Sequence, residues 1–294
     1  MGLSYQGRCL PCHDARFISS KKYHPWRLIG WTAWQGFIRH SIRPQRLTTR
    51  QPDTTYSAMP TLLIPGWLGS GWSYNQLIDY WQTDDVAEKR LTVVVGVTGH
   101  IKVRGDWDNE AKNPLIQVIF ANNIADFNVH TRDLIRVLTY LHTHYGITAY
   151  NAVAHSWGGN AMLNILFSDK VQQLPKLQKL VLLGVPVNEG IINQTLPFSS
   201  WPRIQTPQYR KLVANRHCLE HQPQVQITHF YGAVADARGD GETGFAEALA
   251  LEPLVKDSPV TLTSVKCPGM THTQLHRSLS MSQRIAKVLW QAGD

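Results

Sequence analysis

From about residue 51 the chain alternates short runs rich in β-branched and aliphatic residues with segments of helical periodicity. No architecture accommodates that alternation as readily as a parallel sheet with helices on both faces. Thr61 to Ile64 reads as a buried strand, followed by the glycine-rich turn Pro65 to Gly71 and a helix from about Ser73 to Trp81. Leu91 to Val97 is the next strand. The polar stretch Thr98 to Pro114 predicts a hairpin or an added strand pair before the apolar run Leu115 to Phe120. Leu134, Val137, Leu138, Leu141 and Tyr145 then recur at spacings of three and four, and Gly146 is placed to end their helix in a left-handed conformation. Asn151 to Val153 is a further strand, with a helix carrying Met162, Leu163, Leu166 and Phe167 after it. Leu180 to Leu183, Val225 to Tyr231 and Val260 to Val265 continue the sheet, and Ser280 to Trp290 is a closing helix. No internal repeat is evident.

Residues 185 to about 223 break the rhythm, with Pro186, Pro197, Pro202 and Pro207 and no strong periodicity. An insertion of that length suggests a cap or lid, in which Phe198, Trp201 and Tyr209 could line an apolar pocket. The organisation expected is a leader over residues 1–50 and one large domain over 51–294.

A net charge of +8 on 294 residues owes much to the leader, where Arg8, Arg16, Lys21, Lys22, Arg27, Arg39, Arg43, Arg46 and Arg50 gather. Their pattern matches no nucleic-acid module, so nucleic acid is not an expected partner. Trp26 to Ile38 follows two lysines, but at about 13 residues it is too short to span a bilayer and too polar for a signal core. It suits an interfacial helix, with its tryptophans against the domain or in peripheral contact with a membrane. Four cysteines are too few and scattered for a disulfide framework. Cys9-Leu-Pro-Cys12-His13 matches the C-x-x-C-H haem-attachment pattern, yet no clear signal peptide or haem-wrapping segment accompanies it. No cofactor and no metal dependence are expected.

The chemistry-bearing stretch is Ala149 to Gly159, where a strand ends abruptly in Ala154-His-Ser-Trp-Gly-Gly159. A serine between strand and helix sits on a strained turn with its hydroxyl exposed, and small residues two before and two after it prevent clashes. Ala154 and Gly158 hold those positions, which makes Ser156 the candidate nucleophile. A serine hydroxyl needs an imidazole to take its proton and a carboxylate to orient that imidazole. In this constellation the chain order is nucleophile, acid, histidine. The loop Ala233 to Gly244 offers Asp236, Asp240 and Glu242, and the loop Lys266 to His276 offers His272 and His276. Both follow the carboxyl ends of strands, where such sites assemble. His272 is the preferred base, because it lies in the loop proper while His276 is expected in the following helix. The backbone N–H groups of Trp157, next to the serine, and Trp67, in the turn after the first strand, are the candidate oxyanion donors. That turn has no Gly-Lys-Ser/Thr ending and no G-x-G-x-x-G, so nucleotide binding is not expected.

With these segments in place, residues Pro60 to Trp290 resemble the α/β-hydrolase superfamily, and within it bacterial cell-surface or lipase-like hydrolases. Thr61-Leu-Leu-Ile-Pro-Gly-Trp-Leu-Gly-Ser70 is similar to that group's strand and oxyanion turn, with Pro65 where histidine is usual. Asn113-Pro-Leu-Ile-Gln-Val-Ile-Phe-Ala-Asn-Asn123 resembles its extra strand, and Leu183-Gly-Val-Pro-Val-Asn-Glu-Gly190 the stretch after the next one. Ala154 stands where the group has glycine. The resemblance favours Asp240, in an Asp-Gly pair, over Asp236 as the acid, and it matches His272-Thr-Gln-Leu-His276 to the histidine loop. It implies a serine hydrolase that cleaves carboxylic esters of lipid-like or small acyl groups through an acyl-enzyme. Acyl transfer or amide hydrolysis, and a non-catalytic surface protein keeping the fold, are the alternatives. The compartment stays open between cytoplasm and membrane surface, with the cell surface implied by the resemblance.

Overall fold

A computed structural model describes residues 40–190, 201–235 and 238–291, together with Gly36. Cys9, Cys12, His13 and most of Trp26 to Ile38 in the leader, and Phe198 and Asp236 further on, lie outside the described residues. The apolar runs form one eight-stranded sheet. Its strands are β1 (Thr61–Ile64), β2 (Lys89–Val95), β3 (Ile101–Gly105), β4 (Leu115–Phe120), β5 (Ala149–His155), β6 (Lys176–Leu183), β7 (Gln226–Ala233) and β8 (Thr261–Pro268). They lie in the order β3-β2-β4-β1-β5-β6-β7-β8. Every pairing is parallel except β2 with β3, so the polar excursion after β2 is a hairpin at the sheet edge.

The helices are α1 (Asn75–Thr83), α2 (Phe127–Tyr145), α3 (Trp157–Leu166), α4 (Pro207–Ala214), α5 (Phe245–Leu249), α6 (Leu251–Val255) and α7 (Leu279–Trp290). The two-residue strand period sorts the core into two layers. In β1, Leu62 and Ile64 join Leu134, Leu138 and Leu141 of α2 and Met162 and Leu166 of α3. Leu63 points the other way, into a layer with Leu77, Ile78 and Trp81 of α1 and Ile285, Leu289 and Trp290 of α7. Helices therefore cover both faces, and each fully buried leucine contributes about 1.5–3 kcal/mol of transfer free energy.

Charge obscured one strand boundary. β2 begins at Lys89 rather than Leu91, because Lys89 and Arg90 are buried along with the aliphatic residues that follow. Lys89 Nζ donates to Ile42 O at 2.7 Å and to Gln117 Oε1 at 2.6 Å, and burial brings its ammonium down to about 7. Gln117 in turn donates to Gly71 O at 2.6 Å, which ties the glycine-rich turn to the middle of β4. The same strand ends at Val95, and Gly96 and Val97 lie in the turn to β3.

Capping set another boundary. α2 begins at Phe127, ahead of its first apolar periodic residue, because Asp126 accepts hydrogen bonds from Asn128 N and Val129 N. It ends where Gly146 adopts φ 65°. Past β6, the described part of the proline-rich segment holds α4 and a 3₁₀ turn, Arg216–His221. Tyr209 of α4 does not line a pocket: it is fully buried, and its hydroxyl donates to Ala250 O at 2.8 Å. His276 also departs from expectation. It lies in a 3₁₀ turn, Gln274–His276, separated from α7 by Ser278, which caps that helix by accepting from Met281 N.

Candidate active site

The site lies at the carboxyl edge of the sheet, where β1, β5, β6, β7 and β8 deliver their loops. β5 ends at His155 and α3 begins at Trp157, leaving Ser156 alone on the turn at φ 52° and ψ −128°. A left-handed φ on a residue with a side chain stores on the order of 1–3 kcal/mol, and the surroundings hold it there. Ser156 N donates to Leu183 O at 3.0 Å. The turn after β1 presses on the same residue from the other side, since a Cβ on Gly66 would fall 2.8 Å from Ser156 Cβ and 2.9 Å from His155 O. Only a glycine lets the two turns approach this closely. Tyr74 fixes their strands from below, its hydroxyl reaching Ile64 O at 2.9 Å and Val153 O at 3.3 Å.

Trp67 and Trp157 line one cleft with Ser156 and His272, and its volume is about 630 Å³. The backbone N–H groups of both tryptophans have no acceptor among the described residues. That of Trp157 is one of the orphan donors at the start of a helix, where the helix dipole also favours negative charge. The two indoles lie 5.9 Å apart between ring centroids.

Asp240 and His272 come together on the loops after β7 and β8. His272 Nδ1 lies 2.8 Å from Asp240 Oδ2, both residues are buried, and His272 N donates to Asp240 O at 3.0 Å. The other carboxylate oxygen, Oδ1, accepts from Glu242 N at 3.0 Å and Thr243 N at 2.7 Å. These bonds fix the carboxylate and aim the ring's second nitrogen away from it. His272 Nε2 stands 3.7 Å from Glu242 Oε2, on the exposed rim of the cleft. No described residue hydrogen-bonds Ser156 Oγ, so serine and imidazole share the cleft without a direct bond. Such contacts often tighten only once substrate is bound.

Several neighbours were not legible from sequence. His155, the residue before the serine, packs its ring 4.4 Å from that of His272 and 4.1 Å from that of His276, and its Nε2 lies 3.2 Å from His272 O. Burial, together with the neighbouring histidines, holds its protonation well below the ordinary range. His276 does not reach Asp240 and points instead to Ser73 O, at 2.7 Å from Nδ1, with burial taking its protonation down to about 4. Gly184 packs on the acid–base pair: a Cβ there would lie 2.7 Å from Asp240 Oδ2 and 3.0 Å from His272 Nδ1. Glu189 accepts from Trp157 Nε1 at 2.8 Å, and burial raises its carboxyl above the usual range. In the sequence His276 stood out by its spacing after His272, and Gly184 and Glu189 only as members of the stretch Leu183 to Gly190.

A mostly parallel sheet, a serine on a left-handed strand-to-helix turn and loops from successive strands converging on it define an α/β-hydrolase fold. The chain belongs to the family of α/β-hydrolases of unknown function designated DUF915, whose profile matches residues 48–292. Among solved structures, the lin2722 product of Listeria innocua is similar at a TM-score of 0.73 and 24% identity, covering 80% of this chain and 95% of that one. A Lactobacillus plantarum protein proposed to be a cell surface hydrolase is similar at a TM-score of 0.64 and 20% identity, covering 79% of this chain and 89% of that one. At such identities both likenesses concern the fold. No curated protein matches the chain in sequence.

Proposed function

We propose that this chain is a serine hydrolase that cleaves carboxylic esters through an acyl-enzyme on Ser156. The observation that carries the reading is the buried Asp240–His272 pair, hydrogen-bonded at 2.8 Å and opening on the same cleft as the strained serine. In the proposed reaction His272 Nε2 takes the proton of Ser156 Oγ as that oxygen attacks the ester carbonyl carbon. Negative charge gathers on the carbonyl oxygen, and the N–H groups of Trp67 and Trp157 stabilise it. His272 then gives its proton to the leaving alcohol as the C–O bond breaks, and a water activated by the same imidazole releases the acid. Asp240 fixes the ring's tautomer and offsets the charge that forms on it.

The substrate class rests on the lip of the cleft as well. Trp67 and Leu68 line the cleft, Ile124 lies beside Trp67, whose Nε1 donates to Ile124 O at 3.2 Å, and all three are at least half exposed, which gives the site an apolar border. That border suits the acyl chain of a lipid-like ester. A panel of p-nitrophenyl esters of increasing acyl length tests the proposal. The wild type should turn over at least one member, and Ser156→Ala should lower kcat by about 1000-fold or more with its far-ultraviolet dichroism unchanged. Undiminished hydrolysis by a folded Ser156→Ala variant would overturn it.

A further inference from the structure

At the opposite end of β6 from the catalytic loops, two short turns bring an aspartate, a histidine and a cysteine together. Asp169 opens the 3₁₀ turn Asp169–Gln173 that precedes β6, and His217 and Cys218 lie in the turn Arg216–His221. Their donor atoms all lie within 4.8 Å of one another. Cys218 Sγ is 3.5 Å from Asp169 Oδ1 and 3.7 Å from His217 Nε2, and His217 Nε2 is 3.6 Å from Asp169 Oδ1.

These three spacings have a simple geometric meaning. Zinc bonds to thiolate at about 2.3 Å, and to imidazole or carboxylate at about 2.0–2.1 Å, in a tetrahedron. Ligand atoms on such a tetrahedron lie about 3.5 Å apart for sulfur with nitrogen or oxygen, and about 3.4 Å for nitrogen with oxygen. The observed triangle agrees within a few tenths of an ångström.

We propose that Asp169, His217 and Cys218 are three ligands of a zinc-type divalent cation, with the fourth position open to water. One thiolate, one imidazole and one carboxylate form a donor set that suits Zn²⁺ and excludes the hard cations Mg²⁺ and Ca²⁺. The arrangement argues against a second nucleophilic triad. In a relay of cysteine, histidine and acid, the carboxylate bonds the imidazole nitrogen remote from sulfur. Here the carboxylate oxygen meets the same nitrogen that faces the sulfur and also touches the sulfur itself, so all three donors converge on one point. Metal binding replaces the thiol proton, which passes to solvent. Two of the ligands are exposed, so an ion can enter without unfolding, and once bound it pins the 216–221 turn to the turn before β6.

The test uses the full chain with Cys9→Ser and Cys12→Ser, which leaves Cys218 and Cys267 as its thiols. After metal stripping, Zn²⁺ is titrated by calorimetry, and Co²⁺ is added to look for a thiolate-to-cobalt charge-transfer band. One equivalent of Zn²⁺ should bind and raise Tm, and the cobalt band should appear. Cys218→Ser should abolish the band, and the exposed-residue variants Asp169→Asn and His217→Gln should weaken zinc binding by about 100-fold or more. No retained zinc, or a cobalt band that survives Cys218→Ser, would overturn the assignment. The two exposed-residue variants keep the test decisive if Cys218→Ser fails to fold. Because the site is remote from Ser156, the Ser156→Ala variant should bind zinc as the parent does.

Discussion

Asp240 accepts three hydrogen bonds, two from the backbone of its own turn and one from His272, and these are what suit it to the orienting role proposed for it. Asp240→Asn should keep the fold, because an amide oxygen can still accept from Glu242 N and Thr243 N. It should lower kcat by about 1000- to 10,000-fold with little change in KM, since the wrong imidazole tautomer then faces the serine. Steady-state kinetics on the best ester of the panel checks this. Ser156 was legible from sequence because a strand-to-helix turn demands small residues around it. Asp240 could not be separated from Asp236 on loop position alone, because a closing turn depends on bonds that strand and helix periodicity do not encode. His155 left no trace either. Its place against His272 and His276 exists only after β5 and the β8 loop meet.

At the scale of elements, backbone contacts at the sheet edge govern the site. Gly184 follows β6 at φ 57° beneath the acid–base pair, and a methyl group there would meet Asp240 Oδ2 at 2.7 Å. Gly184→Ala should therefore lower Tm and separate Asp240 from His272, with kcat falling by about 10-fold or more as the base loses its orientation. Thermal melts and kinetics on the same preparation measure both. The start of α2 gives a counterpart in helix capping: Asp126→Ala removes the acceptor for Asn128 N and Val129 N and should cost about 1 kcal/mol in urea denaturation. Central strands were readable from sequence because a parallel strand buried on both faces is a continuous apolar run. The start of β2 was not, because Lys89 finds its partners at Ile42 and Gln117, far away in the chain. α5 and α6 were too short for periodicity to reveal them, and α4 lies in a stretch that prolines made irregular.

The whole molecule should weaken in mild acid, because it buries neutral histidines. His229 Nε2 accepts from Val185 N at 3.2 Å, and burial lowers its protonation from an ordinary 6.5 to about 4. His276 is lowered to about 4 by the same cause. The unfolded chain protonates these rings near 6.5 and the folded chain does not, so their stabilisation is complete above that value. It is lost progressively as pH falls from about 6.5 to about 4, on the order of 3 kcal/mol for each ring. Urea midpoints measured at pH 7.5, 5.5 and 4.5 should decline in that order, and a midpoint that rises on acidification would contradict the burial of neutral imidazoles. The fold class was evident from alternating strands and helices, because that pattern belongs to the whole chain rather than to any one contact.

The central claim is that Ser156 is an activated nucleophile. Treating the native chain with a fluorophosphonate and locating the adduct by peptide mass spectrometry tests it most directly. A single adduct on Ser156, absent when the protein is first unfolded in urea and strongly reduced in Asp240→Asn, is the predicted result. A native chain left unmodified at Ser156, or one labelled equally before and after unfolding, would contradict it.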